Sequence, residues 1–213
     1  MIAEKKKEIL IERVRRDRFI QVSDFAEEMD ISAATIRRDP IYLEIEGICI
    51  RKRGEAVRST QSVTMELSYD IKKNRNTDAK NQIAAKALDP IDNGDTILHD
   101  AGSTLFSLAC QLHTKEGLTV ITNDLNIAVK LADNPRINLI CTGGIARPNV
   151  YSLQGMQVIT LINQLRVDKS FIGADAVHQG GMVSNVNIEE GPIKHAMIKV
   201  ADKVILLTDS AKF

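Results

Sequence analysis

Two adjacent arginines, Arg37 and Arg38, close a run of small residues, a combination suited to reading nucleic acid. Ser32 can accept a hydrogen bond from an otherwise orphaned amide as a helix N-cap, while Ala33, Ala34 and Thr35 keep the first turn slim enough for a major groove. Arg37 and Arg38 then offer guanidinium forks to guanine edges or phosphate oxygens. Downstream, Arg51, Lys52 and Arg53 crowd a turn at Gly54. Lys52 and Arg53 there would rest on the phosphate backbone, adding salt-dependent affinity without reading bases.

A second set of residues is suited to a small anion. Small or polar clusters recur as Asp100-Ala101-Gly102-Ser103-Thr104, Thr122-Asn123-Asp124, Thr142-Gly143-Gly144, Gly173-Ala174-Asp175 and Asp209-Ser210-Ala211-Lys212. Gly102, Ser103 and Thr104 at a strand-to-helix junction can offer amides, hydroxyls and a helix N-terminus to a phosphate. Gly143 and Gly144 would let backbone approach a ligand closely, and Arg147, Lys194 or Lys212 could supply positive charge. Each cluster also has a plain reading: Asp100 and Asp175 as helix caps, the glycines as turns, Lys194 on a solvated helix face. Their recurrence after strands favours one shared pocket for a small phosphorylated polyol.

The elements that must position these groups fall into two rhythms. Ile9, Leu10 and Val14 have helical spacing, Ser23 can cap a second helix with Phe25, Ala26 and Met29 on one face, and residues 30–32 turn into a third. Gly47 stops the helical pattern, and residues 48–54 read as a two-stranded wing. The polar residues 59–75 read as a linker with an irregular approach to the next domain. Strands are then predicted at 96–99, 118–122, 137–141, 169–172 and 203–207, interleaved with helices near 78–88, 104–112, 124–132, 155–165 and 189–201. Such alternation implies a mostly parallel sheet whose ligands sit at the carboxyl ends of the strands.

Composition narrows the classes. The chain has 213 residues, with 28 Lys and Arg against 28 Asp and Glu, so local clusters and not net charge carry any attraction to DNA. The 4% aromatic content and the lack of Trp argue against a stacking platform for single strands. Cys49, Cys110 and Cys141 are odd in number and far apart, which points to a reducing, cytoplasmic setting and to neither a disulfide framework nor a zinc motif. The four histidines show no metal-ligand spacing, no cofactor motif is present, and no apolar run is of bilayer length.

Along nearly its whole length the chain resembles the DeoR family of bacterial transcriptional regulators. The resemblance rests on Ser32, Thr35, Ile36, Arg37, Arg38 and Asp39, on Leu43 to Gly47, and on the wing at 51–56. In the second half it rests on residues 100–104, Thr122-Asn123, Gly143-Gly144, residues 173–176, Asn187 to Glu190 with Lys194, and residues 209–213. It implies an α/β protein with a winged helix-turn-helix domain at 1–58, a linker at 59–75 and a larger effector domain at 76–213. That second domain would be akin to ribose-5-phosphate isomerase. The implied function is repression of a carbohydrate-utilisation operon by a homo-oligomer bound to double-stranded operator DNA. A phosphorylated sugar or sugar alcohol would relieve it, through Asp100, Gly102, Ser103, Thr104, Thr122, Asn123, Gly143, Gly144, Arg147, Asp175, Glu189, Lys194 and Lys212.

Four departures from the family pattern stand out. Pro40 replaces a usual Leu and would end or kink the recognition helix near Asp39, at a cost of about 3 kcal/mol inside a helix. Glu55 puts an anion in the wing, and Gly191-Pro192 precedes Lys194. The chain stops at Phe213 where relatives continue, which predicts an effector domain truncated at its C terminus. Two alternatives arise: a degenerate regulator with impaired DNA binding, or an isomerase-like enzyme using Asp100, Asp175, Glu189 and Lys194 as acid-base groups.

Overall fold

The computed structural model describes residues 9, 12–13, 19–30, 32, 49–52, 55–58 and 69–213. The chain divides into two compact units, residues 1–67 and 68–213.

In the first unit, β1 (Phe19–Gln21) leads directly into α1 (Val22–Glu28), and β2 (Cys49–Lys52) and β3 (Glu55–Arg58) form a hairpin. The sheet order is β1-β3-β2, antiparallel throughout, with Phe19 opposite Val57 and Lys52 opposite Glu55. The sheet is thus three-stranded, since residues 19–21 add an edge strand to the predicted two-stranded wing. Helix α1 buries Phe25 and Ala26 as their spacing predicts. Ser23 is not its cap: the helix starts one residue earlier, and the Ser23 hydroxyl bonds Asp24 Oδ1 at 3.0 Å. Arg13 Nη1 bonds Glu28 Oε1 at 2.6 Å, which ties one of the basic residues to α1. Ser32 is exposed, whereas Ala33, Ala34, Thr35, Arg37, Arg38, Pro40 and Arg53 lie outside the described residues. Lys52 ends β2 and Glu55 begins β3.

The second unit opens with α2 (Tyr69–Asn74), a helix where polar composition predicts irregular linker. Its Tyr69 is buried, and that tertiary contact overrides the local signal. Next come α3 (Thr77–Ala87), β4 (Thr96–His99), α4 (Ser103–Gln111), β5 (Leu118–Thr122), α5 (Leu125–Ala132) and β6 (Ile137–Cys141). The hairpin β7 (Ile145–Ala146) and β8 (Leu153–Gln154) precedes α6 (Met156–Asn163) and β9 (Val167–Gly173). A second hairpin, β10 (Ala176–Val177) with β11 (Val183–Ser184), precedes α7 (Glu190–Val200) and β12 (Ala201–Leu207).

Five strands form one parallel sheet in the order β12-β9-β4-β5-β6. Side-chain alternation builds two cores, one on each face. Ile97, Val120 and Phe171 face Ala84, Leu105, Leu108 and Ile127 of α3, α4 and α5. Their sequence neighbours Leu98, Ile121 and Ile172 face Val158, Ile162, Ile193 and Met197 of α6 and α7. Burial on both faces explains why these strands read as continuous apolar runs. From β4 the chain first moves outward through β5 to β6, then returns to place β9 on the other side of β4. The strand order therefore reverses between β4 and β9, where a doubly covered sheet opens a crevice at its carboxyl edge.

Candidate functional site

At that reversal point β4 runs out into Asp100, almost fully buried at 2% exposure. Its backbone N–H bonds the Phe171 carbonyl at 3.0 Å, and its Oδ2 accepts the Gly173 N–H at 3.0 Å from the end of β9. The same oxygen accepts a hydrogen bond from Lys194 Nζ on α7. Burial alone would lower the Lys194 pKa, but the Asp100 and Glu190 carboxylates more than offset it and hold the ammonium above the ordinary lysine value. Neither Asp100 nor Lys194 is a helix cap or a solvated side chain.

Glu190 links this pair to the rest of the crevice. Its Oε2 lies 3.8 Å from Lys194 Nζ and accepts the Asn185 side-chain amide at 2.8 Å, while its Oε1 accepts from Arg147 Nη1 at 2.9 Å. Asn185 Nδ2 also lies 3.4 Å from Asp175 Oδ2, which accepts the Val186 N–H at 3.0 Å. Asp175 Oδ1 in turn accepts from Lys72 Nζ at 3.2 Å. Burial works against the charged carboxylate of Asp175, but the ammonium of Lys72, the Val186 N–H and the charge of Lys212 keep its pKa below the usual range. One polar network therefore runs from Lys72 through Asp175, Asn185 and Glu190 to Lys194, Asp100 and Gly173.

Beside it, Gly102 is the N-cap of α4, and its φ of +128° suits glycine. The Gly102 N–H is already taken by Asp124 Oδ2 at 3.0 Å, and Asp124 Oδ1 caps α5 through the N–H groups of Asn126 and Ile127. One buried carboxylate thus pins the first turns of two helices. Burial raises its pKa to about 6, against the pull of the three N–H groups. Ser103 is nearly buried and Thr104 half-buried at the same helix start.

Several predicted site residues hold the scaffold around this network. Thr122 is fully buried, with its hydroxyl accepting the Asp124 N–H at 3.1 Å, and Asn123 is buried with its amide on the Leu153 carbonyl at 3.3 Å. Both build the turn after β5. Gly144 is needed by packing: a Cβ there would lie 2.5 Å from the Gln154 carbonyl oxygen and 2.8 Å from Val158 Cγ2. Gly143, exposed at a φ of +69°, has open space around it. Glu189 is exposed at the N-cap position of α7, and its neighbour Glu190 enters the network. Helical spacing carried that signal, since Glu190 is four residues before Lys194 and shares its face.

A further cation was missed altogether. Lys80 is buried on α3, on the stripe it shares with Ala84 and Ala87, and donates to the Lys72 carbonyl. Burial chiefly, with help from the charges of Lys212, Arg75 and Lys72, lowers its pKa to about 8, although Asp209 acts in the opposite sense. Lys212, in the final turn at Ser210–Lys212, acts by charge on both Lys80 and Asp175. The region thus sets carboxylates and amides near Lys194 against a set of cations around Lys80. Among the described residues no group of three His, Cys, Asp or Glu side chains could hold a metal ion, and no helix is long and apolar enough to cross a membrane.

Residues 75–213 match the DeoR C terminal sensor domain, and residues 6–62 match the DeoR-like helix-turn-helix domain. The chain belongs to the DeoR family. It is therefore a DNA-binding transcriptional regulator with a sensor domain behind its helix-turn-helix. Among DeoR-type relatives, the lactose phosphotransferase system repressor of Lactococcus lactis is 33% identical over 97% of this chain and 81% of that protein. The glycerol-3-phosphate regulon repressor of Escherichia coli K12 is 28% identical over 96% of this chain and 80% of its own length. Among solved structures, ribose 5-phosphate isomerase A from Methanocaldococcus jannaschii aligns with a TM-score of 0.45 at 17% identity, over 64% of this chain and 54% of that one.

Proposed function

We propose that this DeoR-family regulator represses a carbohydrate-utilisation operon and that a phosphorylated sugar or sugar alcohol, bound in the crevice of the sensor domain, relieves repression. The observation that carries this reading is the network at the β4–β9 reversal, which joins α2, β4, α7 and both loops flanking β10–β11 around Asp100, Asp175, Glu190 and Lys194. Carboxylates and an amide suit the hydroxyls of a polyol. The start of α4 and the cations around Lys80 suit a phosphate. The names of the lactose and glycerol-3-phosphate relatives agree with such a ligand class. DNA contact is assigned to a helix capped by Ser32, with Ala33, Ala34, Thr35, Arg37 and Arg38 near bases, and to Lys52 and Arg53 on phosphates, within a homo-oligomer.

The test is direct. A labelled DNA sequence is selected from a random pool by the full chain and titrated with a panel of sugar phosphates. Release by at least one of them is expected, and Lys194→Met should abolish that release. Unchanged DNA affinity across the panel would overturn the effector assignment.

A further inference from the structure

Helix α6 comes from a part of the chain without charge. Residues 148–165 contain no Asp, Glu, Lys or Arg, the longest such run in the sequence. The inner side of the helix is core, with Val158 and Ile162 fully buried among residues of the sheet and α7. Met156, Gln157, Thr160, Leu161 and Gln164 share its outer side and line one groove of about 420 Å³. All of them except the half-buried Leu161 are exposed. Ile145, 69% exposed, carries the apolar part past the helix start, since a Cβ on Gly155 would lie 4.0 Å from its Cδ1.

Elsewhere in the sensor unit an uncharged helix is a covered one. Helix α4 also lacks charge, and none of its residues is exposed. Tyr69 and Lys73 of α2 lie on its Phe106, and its Gln111 side-chain amide donates to the Asn81 carbonyl of α3 at 3.3 Å. Helices that face water carry an exposed lysine: Lys86 on α3, Lys130 on α5 and Lys199 on α7. Helix α6 has the composition of the covered class but, among the described residues, no cover over its outer side.

The chemistry of this face selects its occupant. A two-fold interface sets a residue near the axis against its own copy, so a charge there meets a like charge. A side-chain amide or hydroxyl is instead its own complement, because it both donates and accepts. Gln157, Thr160 and Gln164 supply such groups beside the apolar Met156 and Leu161. A charged partner would lose water against this face and find no counterion.

We propose that the outer face of α6, with Ile145 at its margin, is a self-association surface: a second copy of this chain packs its own α6 antiparallel across it, about a two-fold axis at Thr160. The proposal rests on the homo-oligomer reading above and names the surface that joins the copies. Two joined copies carry two DNA-binding units, which raises avidity for an operator with two half-sites.

Sedimentation of the full chain over a range of concentrations tests it, with a melting curve recorded for each sample. The parent should sediment as an even number of copies. Thr160 is exposed, so charge placed there leaves the core intact. Thr160→Lys and Thr160→Glu should each melt cooperatively and each lower the mass to half or less, because like charges meet across the axis. An equimolar mixture of the two should restore the parent mass, because opposite charges then face one another. A mixture that stays dissociated overturns the two-fold pairing. Retention of the parent mass by both single variants overturns this surface, whatever else they change, and leaves the homo-oligomer reading standing. A parent that sediments as a single copy at every concentration overturns both.

Discussion

Lys194 and Asp100, 94 residues apart in sequence, form a buried ion pair at the reversal point of the sheet. The carboxylate has a second fixed donor in the Gly173 N–H, so the pair also ties α7 to the ends of β4 and β9. Removing one partner of such a pair leaves an uncompensated buried charge, whereas removing both leaves none. Lys194→Met should destabilise the sensor unit by about 3–5 kcal/mol. Asp100→Leu combined with Lys194→Met should cost less than the sum of the single changes. Urea denaturation of the three variants checks this, and additive losses would show that the pair is not coupled.

Gly143 and Gly144 are neighbours with different constraints. Gly144→Ala must displace the Gln154 backbone or Val158 at a φ of +111°, and should cost about 3 kcal/mol. Gly143→Ala meets open space and bears only the left-handed penalty of about 1–2 kcal/mol. The difference should appear as two clearly separated melting temperatures, with effector binding retained in Gly143→Ala.

Two buried groups should give the sensor unit opposite acid responses. Burial lowers the His99 pKa to about 4, so as pH falls below about 6.5 the unfolded chain takes up a proton that the folded chain refuses, and stability is lost. Asp124, raised to about 6, takes up its proton in the folded state first, so stability is gained over the range from about 6 down to 3.8. Each effect is about 3 kcal/mol at full extent, and the two oppose one another. His99→Gln should therefore make the melting temperature rise, relative to the parent, as pH drops from 6.5 to 4. Asp124→Asn should make it fall, and parallel profiles for all three proteins would refute the assignment.

In the DNA-binding half, Pro40→Leu restores a hydrogen-bonding N–H behind Arg37 and Arg38 and should raise both the melting temperature of the first unit and its affinity for selected DNA. Arg53→Ala should weaken binding to all DNA sequences alike and reduce the slope of log affinity against log salt by about 1. A sequence-dependent loss for Arg53→Ala would move it from phosphate to base contact.

The sequence by itself determined the family and the order of the main-sheet strands with the helices that alternate with them; helix α2 and the hairpins β7–β8 and β10–β11 were not legible in it. Periodicities of two and 3.6 are local properties, so β4, β5 and β6 and the helices α3 to α7 could be placed within a residue or two. It also showed that polar clusters follow the strands, because turn residues and helix starts have compositional signatures. Which members of those clusters come together in one network was decided by tertiary structure alone. Asp100 meets Lys194 only because β4 lies beside β9 and α7 packs across them, a pairing that no local pattern encodes. Thr122 and Gly144 are scaffold because Asp124 and Gln154 occupy the space they face, and α2 is a helix because Tyr69 finds Phe106 and Tyr151. Burial and charge balance are sums over neighbours brought from distant parts of the chain, so Lys72 and Lys80 join the site only once the fold has gathered those neighbours.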